Sequence, residues 1–448
     1  EFRLNDLVTR LKKRSKIQFD IQGVLQLILT NSMLSPKSKL SLYNNQSSYE
    51  GFKKFDLHHI YRSLNFLAGH QDDIQKHLYE QQVQNNQLDI DVVFYDVTTF
   101  YFESVKQDEL RDFGFSKDCK VNNVQVVFSM LVDGCGRPIG CDIHKGNTYE
   151  GHTLIRALDK IKSKYNIKQV VIVADKGMNS GSNLLAITEA GYDYIVSYRA
   201  KNAGKKLQDE IKDIGSYAIT QQDELGNPSL SYKTIEYNHK IQQDKKSHVI
   251  SSKLICSWSA KRAAKDRADR SRLIDRAEDM IENKSYKSTR GARKFLNVSI
   301  EDNVTLNEEK IEQASKWDGI YVIESSASNL NAEQVASAYH QLWVIEESFR
   351  ILKSHFEARP MFHWTPERII GHLTLSYIAF CFEREVEIRL KNAQTDEKIS
   401  HGRIRKALDS MSNSIIDSGN QTIKVASKPN ELAMIIMEQF HLNNSAIC

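Results

Sequence analysis

The chain has 448 residues, of which 40% are hydrophobic and 26% are charged, and its formal net charge is only +4. A chain of this length and apolar content can bury a large core in two or three modules. Because the overall charge is small, contact with a polyanion would have to depend on local clusters of Lys and Arg.

Composition also limits the cellular setting. No apolar stretch is long enough to cross a membrane and no signal peptide is recognisable, which predicts a cytoplasmic protein. The first residue is Glu1 rather than Met, which indicates a truncated gene product or a trimmed chain. The Cys residues lack the paired spacing of a zinc site and fit reduced thiols. They are Cys119, Cys135, Cys141, Cys256, Cys381 and Cys448.

The first 89 residues predict a helical module. Leu7 to Ile17 is basic, Val24 to Met33 is apolar, and Tyr61 to Gln82 is amphipathic. The pattern of a helix-turn-helix that reads DNA bases is not recognisable here.

An acidic residue interrupts the next apolar run. The β-branched and aromatic residues of Val92 to Phe102 predict a buried strand, and Asp96 lies in its middle. Burying a carboxylate costs free energy, and function is the usual reason to retain one, although a strand-end Asp can also cap a turn. Gln125 to Val132 and Pro138 to His144 follow, with short polar turns between them, so the three segments predict an antiparallel meander.

A second acid ends the following strand. After a predicted helix from Gly151 to Tyr165, the apolar run Val170 to Ala174 leads directly into Asp175, and a further strand is predicted at Tyr192 to Tyr198. The carboxyl ends of strands are where α/β sheets commonly bind ligands. The alternative role of this Asp is to cap the short helix around Asn183 to Thr188.

Residues 199–318 predict an insertion of short strands and one polar helix. Ser231 to Tyr237 and Lys253 to Trp258 are strand-like, and Ala260 to Ile281 is helical. The stretch from Ser259 to Lys294 holds twelve Lys or Arg and six Asp or Glu, a surplus of +6 that exceeds the +4 of the whole chain. This surplus favours an arm that binds phosphates, although an ordinary solvated helix would have the same composition.

The third acid lies in a long helical segment. Residues 332–355 contain no Gly or Pro and predict one uninterrupted helix. On such a helix Glu346 shares a face with a phenol and two cations, although a solvated stripe of helix ion pairs, such as Glu346 with Arg350, would give the same pattern. At roughly 100° per residue, the residues within about 40° of one line are Tyr339, Leu342, Glu346, Arg350 and Lys353.

The order Asp, Asp, Glu, with GFSKDCKVNNVQVVFSMLVDGCGRPIG after the first acid and VADKGMNS around the second, resembles the DDE transposases of bacterial insertion sequences. The helix resembles the signature of the insertion-sequence-four superfamily: Tyr, two residues, Arg, three residues, Glu, six residues, Lys. Tyr339, Glu346 and Lys353 occupy these positions, whereas Leu342 replaces the Arg. Arg350, one turn beyond the Glu, could serve the same face. The resemblance covers residues 90–198 and 319–390.

The resemblance implies an α/β fold with a ribonuclease H-like core, a mixed five-stranded sheet flanked by helices. The core would comprise residues 90–198 and 319–395, interrupted by the insertion at 199–318. A helical amino-terminal module at 1–89, with possible DNA-end binding, and a helical tail at 396–448 would flank it. In this fold the first and fourth strands are neighbours, so Asp96 and Asp175 would lie close together.

The resemblance also implies the chemistry. Two divalent ions about 4 Å apart, Mg²⁺ or Mn²⁺, would activate the nucleophile and stabilise the leaving oxygen during DNA cleavage and strand transfer. Asp96 would bridge both ions, while Asp175 and Glu346 would each bind one. The expected DNA contacts are Tyr339, Arg350 and Lys353 to phosphates, and Trp258, with Trp317 second, stacking on a base. A Trp in this setting could equally be a core residue.

The implied partners are double-stranded DNA, both the terminal inverted repeats of a transposon and the target, and a second copy of the chain. The protein would work in the bacterial cytoplasm in association with the nucleoid, without a membrane. Three alternatives use the same residues differently: a ribonuclease H-like nuclease or junction resolvase, a decayed DNA-binding remnant, and a purely structural α/β protein.

Overall fold

The computed structural model describes all residues except 1, 87–90, 116–121, 166, 168–169, 244, 284–290, 299–303, 357, 359–360, 394–398, 418–421 and 443–448. Cys119, Cys448, part of the motif after Asp96 and two of the expected segment boundaries, near residues 89 and 395, lie outside the described residues. The strands are β1 (Val92–Tyr101), β2 (Gln125–Asp133), β3 (Pro138–Lys145), β4 (Val171–Ala174), β5 (Asp193–Ser197), β6 (Ala218–Gln222), β7 (Pro228–Gln243), β8 (Lys246–Ser259), β9 (Leu296–Val298), β10 (Val304–Leu306), β11 (Ile320–Ser325), β12 (Asn413–Asp417) and β13 (Thr422–Ala426). The helices are α1 (Leu4–Lys12), α2 (Ile21–Leu34), α3 (Lys39–Asn44), α4 (Leu57–Gly69), α5 (Gln71–Asn86), α6 (Glu150–Ser163), α7 (Gly181–Glu189), α8 (Lys205–Lys212), α9 (Ala260–Glu282), α10 (Glu308–Ser315), α11 (Ala332–His340), α12 (Trp343–Arg350), α13 (Pro366–Asn392), α14 (His401–Ser410) and α15 (Glu431–Gln439).

The chain is a mixed α/β protein with two compact units. The first unit comprises Glu1–Ile172 and Gln341–Cys448, and the second comprises Val173–His340. The boundary divides β4, whose first two residues belong to the first unit and whose last two belong to the second. The four segments expected from the sequence stay a prediction.

The sheet of the first unit has the strand order β3-β2-β1-β4. β1, β2 and β3 are antiparallel neighbours, which confirms the predicted meander. β2 is buried at every position, as expected for a central strand rich in Val, Phe and Met. β4 begins beside the start of β1, where the Val171 amide donates to the Asp91 carbonyl at 2.9 Å.

The amino-terminal helices pack against α13 within the first unit. α2 and α4 both contact α13, and Gly371 of α13 lies so close to α4 that an added Cβ would be 2.0 Å from the Leu64 carbonyl oxygen. Only Gly permits this approach. α13 starts where the Thr365 side chain caps it and Pro366 fixes the first turn, and it is buried along most of its 27 residues.

The last residues of the first unit close over the end of α13. Leu390 of α13 shares an apolar cluster with Ile404 and Ala407 of α14 and with Leu432 and Ile436 of α15. This region was expected to be a helical tail. It also contains the antiparallel hairpin β12–β13, which differs from that expectation.

The sheet of the second unit has the strand order β4-β5-β11-β8-β7-β6. β7 and β8 form one long hairpin, paired without interruption from Leu230 with Ser259 to Gln243 with Lys246. These strands are much longer than the short segments predicted from the sequence, because exposed polar residues continue the pairing beyond the apolar stretches. α9 follows directly and agrees with the predicted polar helix.

Among the described residues, every helix is too short or too polar to span a lipid bilayer.

Candidate active site

Asp96 lies in the middle of β1, opposite Met130 of β2. It is half-buried, whereas its neighbours from Val93 to Phe100 are buried. Because side chains alternate along a strand, Asp96 and Phe100 project from the same face of the sheet. The alternative role of a strand-end cap is excluded, since β1 continues to Tyr101.

α12 lies on that same face. Its Phe349 ring contacts Phe128 of β2 with centroids 6.3 Å apart, and the Phe128 ring lies 5.7 Å from Phe100. The Lys353 ammonium, just after α12, lies 5.8 Å from the Phe100 ring centroid. The first unit therefore brings the helix that carries Glu346 onto the face of β1 that carries Asp96.

The prediction of one uninterrupted helix at residues 332–355 is wrong, because the structure divides this segment into several pieces. α11 ends at His340, a turn occupies Gln341 and Leu342, α12 begins at Trp343, and residues 351–355 form a π-helix. At the turn, the Val344 amide donates to the Gln341 carbonyl at 2.9 Å, a bond three residues long instead of four. In the π-helix, the Phe356 amide donates to the Ile351 carbonyl five residues back, at 3.2 Å.

These irregularities also break the predicted common face. A continuous 100° rotation per residue places the five candidate residues on one line only if every turn is α-helical. In the structure Tyr339, Leu342 and Lys353 are buried, whereas Glu346 and Arg350 are exposed. Leu342 is buried in the first unit.

Glu346 is not committed to an ion pair. Arg350, which the ion-pair alternative assigned to it, instead bonds to Glu347 at 3.4 Å. The Glu346 side chain makes no hydrogen bond or ion pair to any residue that the structure describes, and it is exposed. Its carboxylate is therefore available for a ligand.

Arg384 of α13 fixes the other side of α12. It is 2% exposed, and its guanidinium donates to Ser348 at 3.3 Å and to Glu387 at 2.7 Å, with Glu347 at 3.7 Å. These contacts orient the turn of α12 that presents Glu346. The sequence does not predict the role of Arg384, because its partners Ser348 and Glu347 lie far away in the chain.

Asp175 lies in the second unit, directly after β4. It is exposed, and its backbone carbonyl accepts from the Met178 amide at 2.9 Å in a tight turn. The helix-capping alternative is excluded, because Ser180 caps α7 by accepting from the Asn183 amide. The Asp175 carboxylate makes no hydrogen bond or ion pair with the described side chains around it.

Tyr339 lies near Asp175 within the second unit. Its ring centroid is 5.6 Å from that of Tyr321 on β11. Burial raises the pKa of the Tyr339 hydroxyl well above its usual value, and the neighbouring Tyr321 and the charge of Asp175 raise this pKa further. Tyr339 is therefore a neutral hydrogen-bonding group at physiological pH.

Tyr321 lies beside Tyr339 in the second unit, and Arg262 lies beside Tyr321. The sequence alone does not indicate a role for either residue. The Tyr321 hydroxyl donates to Ser197 at 3.0 Å, and the Arg262 guanidinium lies 4.6 Å from the Tyr321 ring centroid. Arg262 lies in the first turn of α9. The surplus of positive charge from Ser259 to Lys294 is the sequence signal that includes this residue.

Trp258 packs on the core of the second unit. It is half-buried against an apolar cluster that includes Leu254, Cys256 and Val322, and Trp317 packs on the same cluster. Gly319 adopts φ +83°, and a Cβ there would be 2.7 Å from the Trp258 indole nitrogen. These contacts agree with the core alternative for both Trp residues.

The carboxylates fit the ligand preference of hard divalent cations. Mg²⁺ and Mn²⁺ favour carboxylate oxygens and retain water or substrate oxygens at their other positions. The carboxylates of Glu346 and Asp175 are exposed and lack hydrogen-bonding or ion-pairing partners among the described residues, and Asp96 is partly accessible. Asp96 and Glu346 belong to the first unit and Asp175 to the second.

Comparisons with known proteins assign the chain to a family. The model of the transposase DDE domain matches residues 87–382, well over half of the chain. Among solved structures, the chain is similar to a piggyBac transposase, in a cryo-EM structure of its synaptic complex with hairpin DNA, with 7% sequence identity and a TM-score of 0.42 over 98% of this chain and 79% of that one. No curated protein sequence matches. From the extent of the domain match, the chain belongs to the family of transposases that share the DDE domain.

Proposed function

We propose that this transposase cleaves DNA at the ends of a mobile element and joins the freed 3′-ends to target DNA. The observation that carries the proposal is the match of the DDE domain model over residues 87–382. The carboxylates of Glu346 and Asp175 agree with it, because both are exposed and therefore accessible to a metal ion.

Asp96, Asp175 and Glu346 are the proposed ligands of two divalent metal ions, Mg²⁺ or Mn²⁺. Such ions lower the pKa of a bound nucleophile and neutralise charge on the scissile phosphate. The chain itself contributes three carboxylates at defined positions: Asp96 in β1, Asp175 directly after β4, and Glu346 on α12, which Arg384 holds in place. The buried Lys353 beside Phe100 and the neutral hydroxyl of Tyr339 are the proposed contacts of the phosphates next to the cleaved bond.

A ribonuclease H-like core is the proposed scaffold. The strand order β3-β2-β1-β4 of the first unit, with its antiparallel meander, supports this proposal. Membership of the insertion-sequence-four superfamily is proposed from the spacing of Tyr339, Glu346 and Lys353. Leu342, which stands where this signature has Arg, is buried.

α9 is the proposed DNA-binding arm of the second unit. Four of its exposed cations share one side, and Ala263, Ala277 and Met280 are buried. At 100° per residue, a stripe within roughly 60° holds four exposed basic residues. These are Lys261, Lys265, Arg272 and Arg276. Stacking on a base by Trp258 has less support, since this Trp packs on the core.

The proposed partners are double-stranded transposon ends, target DNA and a second copy of the chain. A dimer would allow two ends to be cut together. Arg350 is the proposed further phosphate contact, because its pair with Glu347 is surface-exposed and easily exchanged for a phosphate. Sedimentation of the chain with and without end DNA would test the dimer.

The decisive experiment pairs two neighbouring substitutions on α12. Glu346→Gln removes a proposed metal ligand, and we expect at least about a hundredfold loss of Mg²⁺-dependent cleavage and strand transfer without loss of stability. Glu347→Gln is the matched control, because the same chemical change one residue away removes only structural ion pairs. Equal activity of wild type and Glu346→Gln would refute the assignment. Cleavage without strand transfer in the wild type would favour a nuclease.

A further inference from the structure

A cavity of about 590 Å³ opens in the first unit, and its described lining includes none of the proposed metal ligands. Its volume lies within the roughly 300–1,000 Å³ typical of ligand pockets. It is bounded by the start of α3, by α4, by the loop before α13 and by α13 itself. The side chains that define its chemistry are Lys39, Tyr61, Phe362, His363 and His372.

Lys39 is a buried cation whose ammonium has no partner among the described residues. It is 6% exposed and lines the cavity, and its ammonium makes no hydrogen bond or ion pair to any described residue. Burial lowers the pKa of Lys39 to about 8, so the side chain still carries most of a charge at neutral pH. A buried charge without a counter-charge is costly, and natural proteins seldom retain one that serves no ligand.

Two imidazoles lie beside this cation. The rings of His363 and His372 have centroids 4.8 Å apart. Burial lowers the pKa of both, that of His363 to about 4, and the positive charge of Lys39 lowers both further. The Nδ1 atom of His372 is buried and has no hydrogen-bond partner in the part of the chain that the structure describes.

The described lining of the cavity contains no Asp or Glu. The nearest further charge that acts on His363 is another cation, Arg368, whose guanidinium lies over the Tyr61 ring at 4.9 Å. The described lining is therefore rich in groups that donate to anions and contains no carboxylate. Phe362, at 65% exposure, lies at its solvent side.

We propose that this cavity is a phosphate-binding site, with Lys39 as the charged ligand and His363 and His372 as additional donors. A phosphate group would give Lys39 its missing counter-charge and would favour protonation of both imidazoles, so that they donate charge-assisted hydrogen bonds. The phosphate could belong to DNA or be free inorganic phosphate. The proposal does not rest on the metal ligands proposed above.

The primary test measures binding of inorganic phosphate to the full chain by calorimetry and thermal unfolding, with chloride at equal ionic strength as reference. We expect phosphate to raise the unfolding temperature of the wild type, and Lys39→Met to weaken phosphate binding at least about tenfold. Lys54→Met, which removes an exposed charge from the same amino-terminal region, is the matched control and should bind as the wild type does.

A second measurement follows the two imidazoles by NMR in the unaltered protein, so it does not depend on a variant that folds. Saturating phosphate should raise the pKa of His363 from about 4 towards the ordinary value of His. If phosphate changes neither the titrations of His363 and His372 nor the unfolding temperature, the site does not bind free phosphate. Only a phosphate of DNA then remains as its ligand, and the proposal is overturned if Lys39→Met also leaves DNA binding unchanged.

Two duplexes of one sequence, with and without a 5′-phosphate, identify the source of the ligand. If a terminal phosphate of DNA occupies the cavity, Lys39→Met weakens binding of the phosphorylated duplex alone. If a backbone phosphate does, both duplexes bind more weakly and inorganic phosphate competes. Undiminished DNA binding with lost phosphate binding identifies free phosphate. If Lys39→Met has no effect in any of these comparisons, the proposed site is wrong.

Discussion

Two buried cations of the first unit have opposite surroundings. Arg384, at 2% exposure, is matched by Ser348, Glu347 and Glu387. Lys39, at 6% exposure, has no hydrogen bond or ion pair among the described residues. A charge that its own chain neutralises holds elements together, whereas an unmatched charge lowers stability until a ligand binds. Burial alone therefore does not distinguish a structural charge from a functional one.

The acids of α12 show the same contrast at the surface. Glu347 pairs with Arg350 and lies near Arg384, while Glu346 pairs with neither. The two carboxylates are adjacent in sequence and chemically identical. Their different partners make the first structural and leave the second available for a metal ion.

The largest expected effect is that of Arg384→Met. Removing the guanidinium leaves Glu347 and Glu387 without their buried partner, and we expect a loss of about 3–5 kcal/mol in the free energy of unfolding. Urea denaturation measures it. Lys391→Met is the control, because Lys391 pairs with the same Glu387 at 2.7 Å but is exposed, and it should cost below about 1 kcal/mol. Similar losses for both would remove the contrast between matched and solvated charges.

Lys39→Met should have the opposite sign. A shift of the Lys39 pKa from 10.5 to about 8 corresponds to at most about 3 kcal/mol of destabilisation, which the Met variant would recover at pH 7. The unfolded chain binds the proton more tightly, so the wild type regains stability as pH rises from about 8 towards 10.5. The difference between variant and wild type, measured by urea denaturation, should therefore shrink over that range. A destabilised variant at pH 7 would show that Lys39 has a structural partner.

An intermediate effect is expected in the second unit, where His239 bonds to the buried Glu324 at 2.9 Å. The hydrogen bond to Glu324 raises the pKa of His239 above its ordinary 6.5. The stabilisation that this bond gives to the folded state is therefore complete below about pH 6.5. It is lost as the pH rises through the elevated pKa of His239 in the folded chain. We expect His239→Gln to cost about 1 kcal/mol at pH 6 and less at pH 9, measured by denaturation at each pH. A pH-independent cost would mean that His239 stays neutral.

The smallest stability effect is expected for Arg350→Ala. Its side chain is 69% exposed, and its pair with Glu347 should contribute less than about 0.5 kcal/mol. If Arg350 contacts a phosphate, the variant should nevertheless bind end DNA more weakly and with a smaller salt dependence, as a filter-binding titration would show. Unchanged binding at all salt concentrations would exclude that contact.

Local sequence patterns predicted most elements of the fold. The meander of β1 to β3, the strand before Asp175 and the helix α9 follow from β-branched runs, polar turns and helical composition. The match of the DDE domain confirms the family expected from the order of the acids. The hairpin β12–β13 and the full length of β7 and β8 were not predicted, because polar residues form their pairing and give no apolar signal.

Particular contacts explain why the rest escaped prediction. The interrupted helix after His340 carries no Gly or Pro, so the sequence offered no sign of its turn or of the π-helix. Asp175 does not cap α7, because Ser180 does so. Glu346 does not pair with Arg350, because Arg350 pairs with Glu347.

The sequence by itself indicated the strands β1 to β5, several helices and the family, because these depend on residues close together in the chain. The tertiary structure decided which charges are matched. Lys39 meets His363 and His372 only when α3 packs near α13, and Arg384 meets Ser348 only when α13 packs on α12. Desolvation and pairing depend on such distant neighbours, so only the folded chain separates charges that stabilise it from charges available to a ligand.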